Sequence, residues 1–162
     1  YRQRSWDDAV SGRPTGYPVM QLQVPSLVDR SLTSKGGHVM SNWVLYQPPR
    51  LAEGTWDEAK ESVGEQIIDA ISDYAPGFRD SIIDWTVQTP FDLEQRVGLT
   101  DGSIRHGEML PQQMLSRRQS HRAPIENLYL CGAGTHPGGE VTGAPGHNAA
   151  QAILKDIQRV VM

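Results

Sequence analysis

Six glycines crowd together near the end of the chain: Gly132, Gly134, Gly138, Gly139, Gly143 and Gly146. Glycine leaves no Cβ in the way, so such a backbone can lie close to a flat or anionic ligand. The apolar run Asn127–Cys131 precedes them and reads as a buried strand; Asn148–Val161 follows and reads as a helix, with Ala149, Ala150, Ile153, Leu154, Ile157, Val160 and Val161 as its packed face. Strand, glycine-rich loop and helix make the cofactor-binding edge of an α/β fold. The first amides of such a helix lack internal partners, and its dipole adds positive charge at that end. Thr142 suits the N-cap and Pro145 the first turn. Residues 132–137 begin as G-x-G-x-x-G, but Pro137 holds the sixth position and a further loop precedes the helix. Taken alone, this spacing serves a structural turn as well as a ligand site.

Other reactive side chains have bland readings beside their sharp ones. Cys131, His136, Glu140 and His147 are metal-ligand types, but their spacing matches no compact zinc site, and the histidines read as loop or helix-cap residues. Cys131 at a strand end reads as a small buried apolar residue, with a reactive thiol as the minor alternative. His106, Glu108 and His121 could carry protons, or simply face solvent in a loop-rich stretch. No G-x-S-x-G elbow accompanies Ser120-His121 and Asp101, which speaks against a hydrolase. Trp43, Tyr46, Trp56 and Trp85 read as core, with an apolar channel as the alternative. Arg117, Arg118 and Arg122 read as a solvated basic face, with membrane-surface contact as the minor alternative.

The elements that must position these residues form two halves. Residues 1–18 are polar and rich in Gly and Pro, a loop or ragged start. Val19–Val24 and His38–Tyr46 read as strands. Thr55 with Glu58 forms a capping box that starts a helix, with Ala59, Val63, Ile67, Ala70, Ile71 and Tyr74 on one face and Pro76-Gly77 at its end. Ser81–Gln88 reads as a third strand, giving a β-β-α-β first half with a mixed sheet. Phe91–Arg96 fits one or two helical turns, Asp101-Gly102 a turn, and Pro111–Arg118 a short helix.

The chain has 162 residues, enough for one domain, with 38% hydrophobic residues and a formal net charge of -4. Acidic balance and the absence of a basic run argue against nucleic acid as partner. One cysteine rules out an internal disulfide. No apolar stretch approaches the ~20 residues that span a bilayer, and no signal peptide is visible. The chain opens Tyr1-Arg2-Gln3-Arg4 without a methionine, as a processed or excised piece would.

Residues 127–150, NLYLCGAGTHPGGEVTGAPGHNAA, resemble the C-terminal flavin motif of phytoene dehydrogenase-related flavoproteins, relatives of the amine oxidases and carotenoid desaturases. The resemblance continues upstream in order through Leu22–Leu27, His38–Ser41, Thr89–Glu94 and His106–Glu108, covering nearly everything after about residue 18. It implies an α/β (α+β) chain: a substrate-side mixed sheet with a helix over residues 19–120, then the last strand and helix of an FAD-binding Rossmann-like domain over 121–162. By motif, Gly132, Ala133, Gly134 and Thr135 would line the ribityl side of FAD. Val141, Thr142, Gly143 and Ala144 would aim amides at the flavin pyrimidine edge.

The same resemblance implies the C-terminal piece of an FAD-dependent oxidoreductase that dehydrogenates or isomerises a small apolar, isoprenoid-type substrate. The hydride would pass to the flavin, so no catalytic side chain is assigned in this chain. The family's N-terminal G-x-G-x-x-G and its later acidic residue are missing, so the chain alone is expected neither to bind FAD tightly nor to turn over. Glu140 stands where family members often carry a third glycine. The expected location is cytoplasmic, with peripheral membrane contact allowed. Two other readings stay open. One is a non-catalytic interaction module that forms a homodimer through exposed apolar surface. The other is an amine-oxidising flavoenzyme.

Overall fold

The computed structural model describes residues 1–34, 36–108, 110–139 and 141–161, the last two by backbone alone. The chain packs as two units, Tyr1–Gly102 and Ser103–Met162. Among the described residues the fold is mixed α+β, with four α-helices, one two-stranded antiparallel sheet and several short 3-10 turns.

The first unit begins with α1, Arg2–Val10, where the sequence reading expects a loop. Among the described residues, no side chain caps its start. Tertiary contacts hold it instead: Trp6 stands edge-on to Tyr46 with ring centroids 5.9 Å apart, and Ser5 is fully buried. Gly12 follows at φ 71°, and a Cβ there would meet the Ala52 backbone nitrogen at 2.8 Å. The Ala52 N–H donates to the Gly12 carbonyl at 2.8 Å, so the chain passes too close for any other residue.

Strand β1, Val19–Gln23, pairs antiparallel with β2, Ser41–Leu45, in the register Val19↔Leu45 to Gln23↔Ser41. Both lie inside the expected strands. Beyond them Ser26, nearly fully buried, accepts the Val39 N–H at 3.0 Å and lies 3.2 Å from His38 Nδ1. This ties the two ends of the hairpin loop together.

Helix α2, Trp56–Ser72, starts on the expected capping box. The Glu58 N–H donates to Thr55 Oγ1 at 3.3 Å, and the Thr55 N–H to Glu58 Oε2 at 2.9 Å. Its buried face is Trp56, Val63, Gly64, Ile68 and Ile71, a slightly different stripe from the expected one. The helix stops before Tyr74, which is exposed. The expected strand at Ser81–Gln88 does not form. Residues Arg79–Ser81 make a 3-10 turn, and 82–88 pair with no strand among the described residues. Trp85 and Val87 close instead on Gly64 of α2. The β-rich composition serves packing against a helix, not a ladder.

A Cβ at Gly64 would stand 2.2 Å from Trp85 Cζ3 and 2.9 Å from Val87 Cγ2. Gly64→Ala gains about 1 kcal/mol of helix propensity, but forcing a large ring aside costs about 1–3 kcal/mol. The clash wins, and the variant melts below wild type by circular dichroism. A melting temperature at or above wild type would show that Trp85 is not seated on α2.

Helix α3, Pro90–Val97, carries its own capping box, Thr89 with Asp92, and ends at Gly98 with φ 71°. An open groove of about 460 Å³ runs beside it, lined in part by Lys60, Val87, Phe91 and Arg96.

In the second unit, 3-10 turns at Pro111–Gln113 and Leu115–Arg117 replace the expected single short helix. Asn127–Cys131 is not a buried strand. It folds back on residues 121–123 through an isolated Arg122↔Tyr129 bridge, with the Leu130 N–H donating to the His121 carbonyl at 2.7 Å. Leu128 and Cys131 are exposed, so Cys131 is not the buried residue expected. Helix α4, Ala144–Val161, begins four residues earlier than expected. Ala149 and Ala152 are buried, but Ala150, Leu154 and Ile157 are exposed. The side chains of Val160 and Val161 lie outside the described residues.

Candidate functional site

The glycine-rich loop is built on Thr135, which is 2% exposed. Its N–H and its hydroxyl both donate to the Gly132 carbonyl, at 3.1 and 3.0 Å, and the Gly138 N–H donates back to the Thr135 carbonyl at 2.7 Å. An isolated parallel bridge joins Thr135 to Gln119, whose carbonyl accepts the His136 N–H at 3.0 Å. The His136–Pro137 bond is cis. His136 Nδ1 lies 2.8 Å from the Leu115 carbonyl, which can only accept, so Nδ1 carries the proton and Nε2 is left as an acceptor in the neutral ring. The His121 ring stands 6.5 Å from it, centroid to centroid, with its own Nδ1 buried and without a partner among the described residues.

Arg118, expected on a solvated face, is 8% exposed. Its Nε donates to the Ala133 carbonyl at 3.1 Å, and Nη2 reaches the same oxygen and the carbonyl of Arg105. Arg122 also has a structural partner. Its Nε and Nη2 grip the Asp156 carboxylate on α4 at 2.8 and 2.9 Å, and the Tyr129 hydroxyl donates to the same carboxylate at 2.9 Å. Both residues belong to a helix-and-loop scaffold that composition alone did not reveal.

These bonds hold the Asp156 carboxyl down at about 2, first through Arg122 and then through Tyr129. A carboxylate whose pKa is lowered on folding adds stability above its unfolded value of 3.8, and that stability is lost as pH falls toward about 2. Asp156→Asn is therefore less stable than wild type in urea at about pH 6, and the gap narrows by about pH 2.5. A gap independent of pH would remove the ion pair from the account.

Of the expected site residues, Gly132 is exposed at φ 95° and Gly143 at φ 66°, and a Cβ on either would meet nothing within 4 Å among the described residues. Ala133 and Gly134 are half-buried, and Val141 is fully exposed. The Thr142 hydroxyl accepts the Ala144 N–H at 3.2 Å, one residue ahead of the N-cap position, and Pro145 occupies the first turn of α4. Among the described residues, the amides of Gly134 and Gly146 have no partner. Open glycine backbone, unpaired amides and the positive end of an 18-residue helix suit a flat, electron-rich group. His147 is exposed on the first turn of α4, its N–H donating to the Gly143 carbonyl at 3.1 Å. Glu140, which stands where family members often carry a third glycine, lies outside the described residues. His106 and Glu108 bracket a turn, where the Glu108 N–H donates to Gln113 Oε1 at 3.1 Å.

Among the described residues, no three His, Cys, Asp or Glu side chains converge as metal ligands, and no helix is long and apolar enough to cross a membrane.

No family model matches the chain. It is 40% identical to the pyridine nucleotide-disulfide oxidoreductase domain-containing protein 2 of Rattus norvegicus, over 97% of this chain and 28% of that protein. It is 33% identical to a limonene dehydrogenase subunit of Castellaniella defragrans, over 70% of this chain and 22% of that one. It is also 33% identical to the lycopene-forming phytoene desaturase of Pantoea ananas, over 85% of this chain and 29% of that one. The chain thus spans under a third of the length of these relatives. By this similarity the chain belongs to the phytoene dehydrogenase-related family of oxidoreductases and matches its C-terminal portion.

Proposed function

We propose that this chain is the flavin-edge portion of an FAD-dependent oxidoreductase acting on a small apolar substrate of the isoprenoid type. The observation that carries the reading is the exposed glycine backbone at Gly132 and Gly143, together with a Gly134 amide that has no partner among the described residues and the start of α4 at Ala144. Two relatives are named for limonene and phytoene, both hydrocarbons, which supports the substrate class. Bound FAD would supply the redox chemistry, taking hydride from the substrate.

The residues present would act by binding and orienting. Gly132, Ala133, Gly134 and Thr135 would line the ribityl side, and Val141, Thr142, Gly143 and Ala144 the pyrimidine edge. In this reading residues 121–162 complete a Rossmann-like FAD domain, and residues 19–120 serve the substrate side. The stretch 103–120 packs in the same unit as the cofactor segment. Thr135, buried beneath the loop, keeps it in one shape, so the amides need no rearrangement when the cofactor arrives.

A visible absorption spectrum of the full-length protein, purified beside this chain, tests the reading. A flavin spectrum in the former and none in the latter is expected. Failure of the full-length protein to take up added FAD would overturn it. A second reading, a homodimerising interaction module, draws on the exposed Leu154 and Ile157 of α4. Sedimentation of this chain tests it: a strict monomer across a wide concentration range argues against it.

A further inference from the structure

Arg118 is out of character for its stretch of chain. It follows exposed Arg117 in a run of short turns, yet it is more than nine-tenths buried. A guanidinium withdrawn from water needs acceptors for its N–H groups. Here it finds carbonyls in three separate turns: Ala133 in the glycine-rich loop, Arg105, and Gln113 at 3.5 Å from Nη1. Its stem lies under Gly138, where a Cβ would stand 3.5 Å from Nε.

The grip on Ala133 has a consequence on the other side of the peptide. In a trans peptide the carbonyl and the next residue's N–H point in opposite directions. Arg118 holds the Ala133 oxygen, so the Gly134 N–H points away from the guanidinium, and it has no partner among the described residues. A charged donor on the carbonyl polarises the amide and strengthens its N–H as a donor.

We propose that Arg118 is the positioning residue of the glycine-rich loop, presenting the Gly134 amide, polarised, to an electron-rich ligand. This rests on the flavin reading above, in which the ligand is the flavin end of FAD. Guanidinium donation to the far side of that peptide then favours the more electron-rich, reduced state of that ligand.

The test compares wild type, Arg118→Lys and Arg118→Met in the FAD-loaded full-length protein, and in this chain alone by NMR. Methionine keeps an apolar stem without charge; lysine keeps the charge without the fork. In Arg118→Met the FAD dissociation constant rises about tenfold, and the potential of the bound flavin moves to a more negative value. Arg118→Lys loses part of the affinity but holds the potential near wild type. In the chain alone, the amide resonances of residues 132–138 shift more in Arg118→Met than those of α4. Unchanged affinity and potential in Arg118→Met would overturn the proposal. So would a potential that falls equally in both variants, because the charge would then be irrelevant and the role merely structural. Should wild type bind no FAD, the flavin reading fails separately, and unmoved loop resonances would still overturn the hold of Arg118 on the loop.

Discussion

Trp56→Ala will cost the first unit about 3–5 kcal/mol, the usual loss when a large buried aromatic is truncated. Trp56 is 5% exposed at the first turn of α2, in the same buried stripe as Val63, Ile68 and Ile71. Its Nε1–H donates to the carbonyl of fully buried Pro48 at 3.1 Å. Truncation therefore opens a cavity and leaves a buried acceptor without its donor. A small domain has about 5–15 kcal/mol in all, so the loss approaches the unit's whole stability. Trp56→Phe separates the two effects. It keeps most of the apolar volume and loses only the hydrogen bond, for about 1–3 kcal/mol. Urea unfolding followed by the helical circular dichroism signal should rank wild type above Trp56→Phe and Trp56→Ala last. Equal losses in the two variants would mean that the bond to Pro48, not the packing, holds α2 in place.

The start of α2 was readable because a capping box is a local signal: Thr55 and Glu58 meet within one turn. The same signal at Thr89 and Asp92 defines α3, and it was available in the sequence although only a turn or two of helix was expected there. What could not be read locally depends on distant partners. Helix α1 owes its place to Trp6 meeting Tyr46, forty residues on. Residues 82–88 and 127–131 have strand composition, but composition states a side-chain preference while a ladder needs a neighbour. The first lies across Gly64 and the second folds back on residues 121–123.

The charged residues show the same limit more sharply. Arg118 and Arg122 read as solvated because nothing adjacent in sequence could bury them. Ala133 lies fifteen residues from Arg118, and Asp156 lies thirty-four from Arg122. A guanidinium is well placed in a turn-rich segment when orphan carbonyls from several turns converge on it, and that convergence is a property of the fold. The glycine-rich loop was legible for the opposite reason. Its glycines, Thr135 and the start of α4 sit within one contiguous stretch, so a motif resemblance alone could place them together.

The loop's openness is also what a substitution can remove. Gly132→Val in the full-length protein will weaken FAD binding by about tenfold to a hundredfold. Gly132 sits at φ 95°, and the roughly 1–3 kcal/mol of strain that a β-branched residue carries there is present with and without ligand, so it lowers stability; the affinity loss comes from the branched side chain standing where the ligand would lie, at about 1.4 kcal/mol for each tenfold. Among the described residues nothing lies within 4 Å of the new Cβ, so they leave it room and the obstruction falls on whatever approaches from outside. Gly77→Val supplies the control. Gly77 has φ 84° and equally open surroundings, but it lies just after α2 and outside the loop. Both variants then share similar backbone strain and a similar fall in melting temperature. Only Gly132→Val should raise the FAD dissociation constant, measured by fluorescence quenching of the added flavin. If Gly77→Val weakens binding as much, the loss comes through general destabilisation and the loop is not the ligand's surface. If neither does, the exposed glycine backbone is a turn and the flavin lies elsewhere.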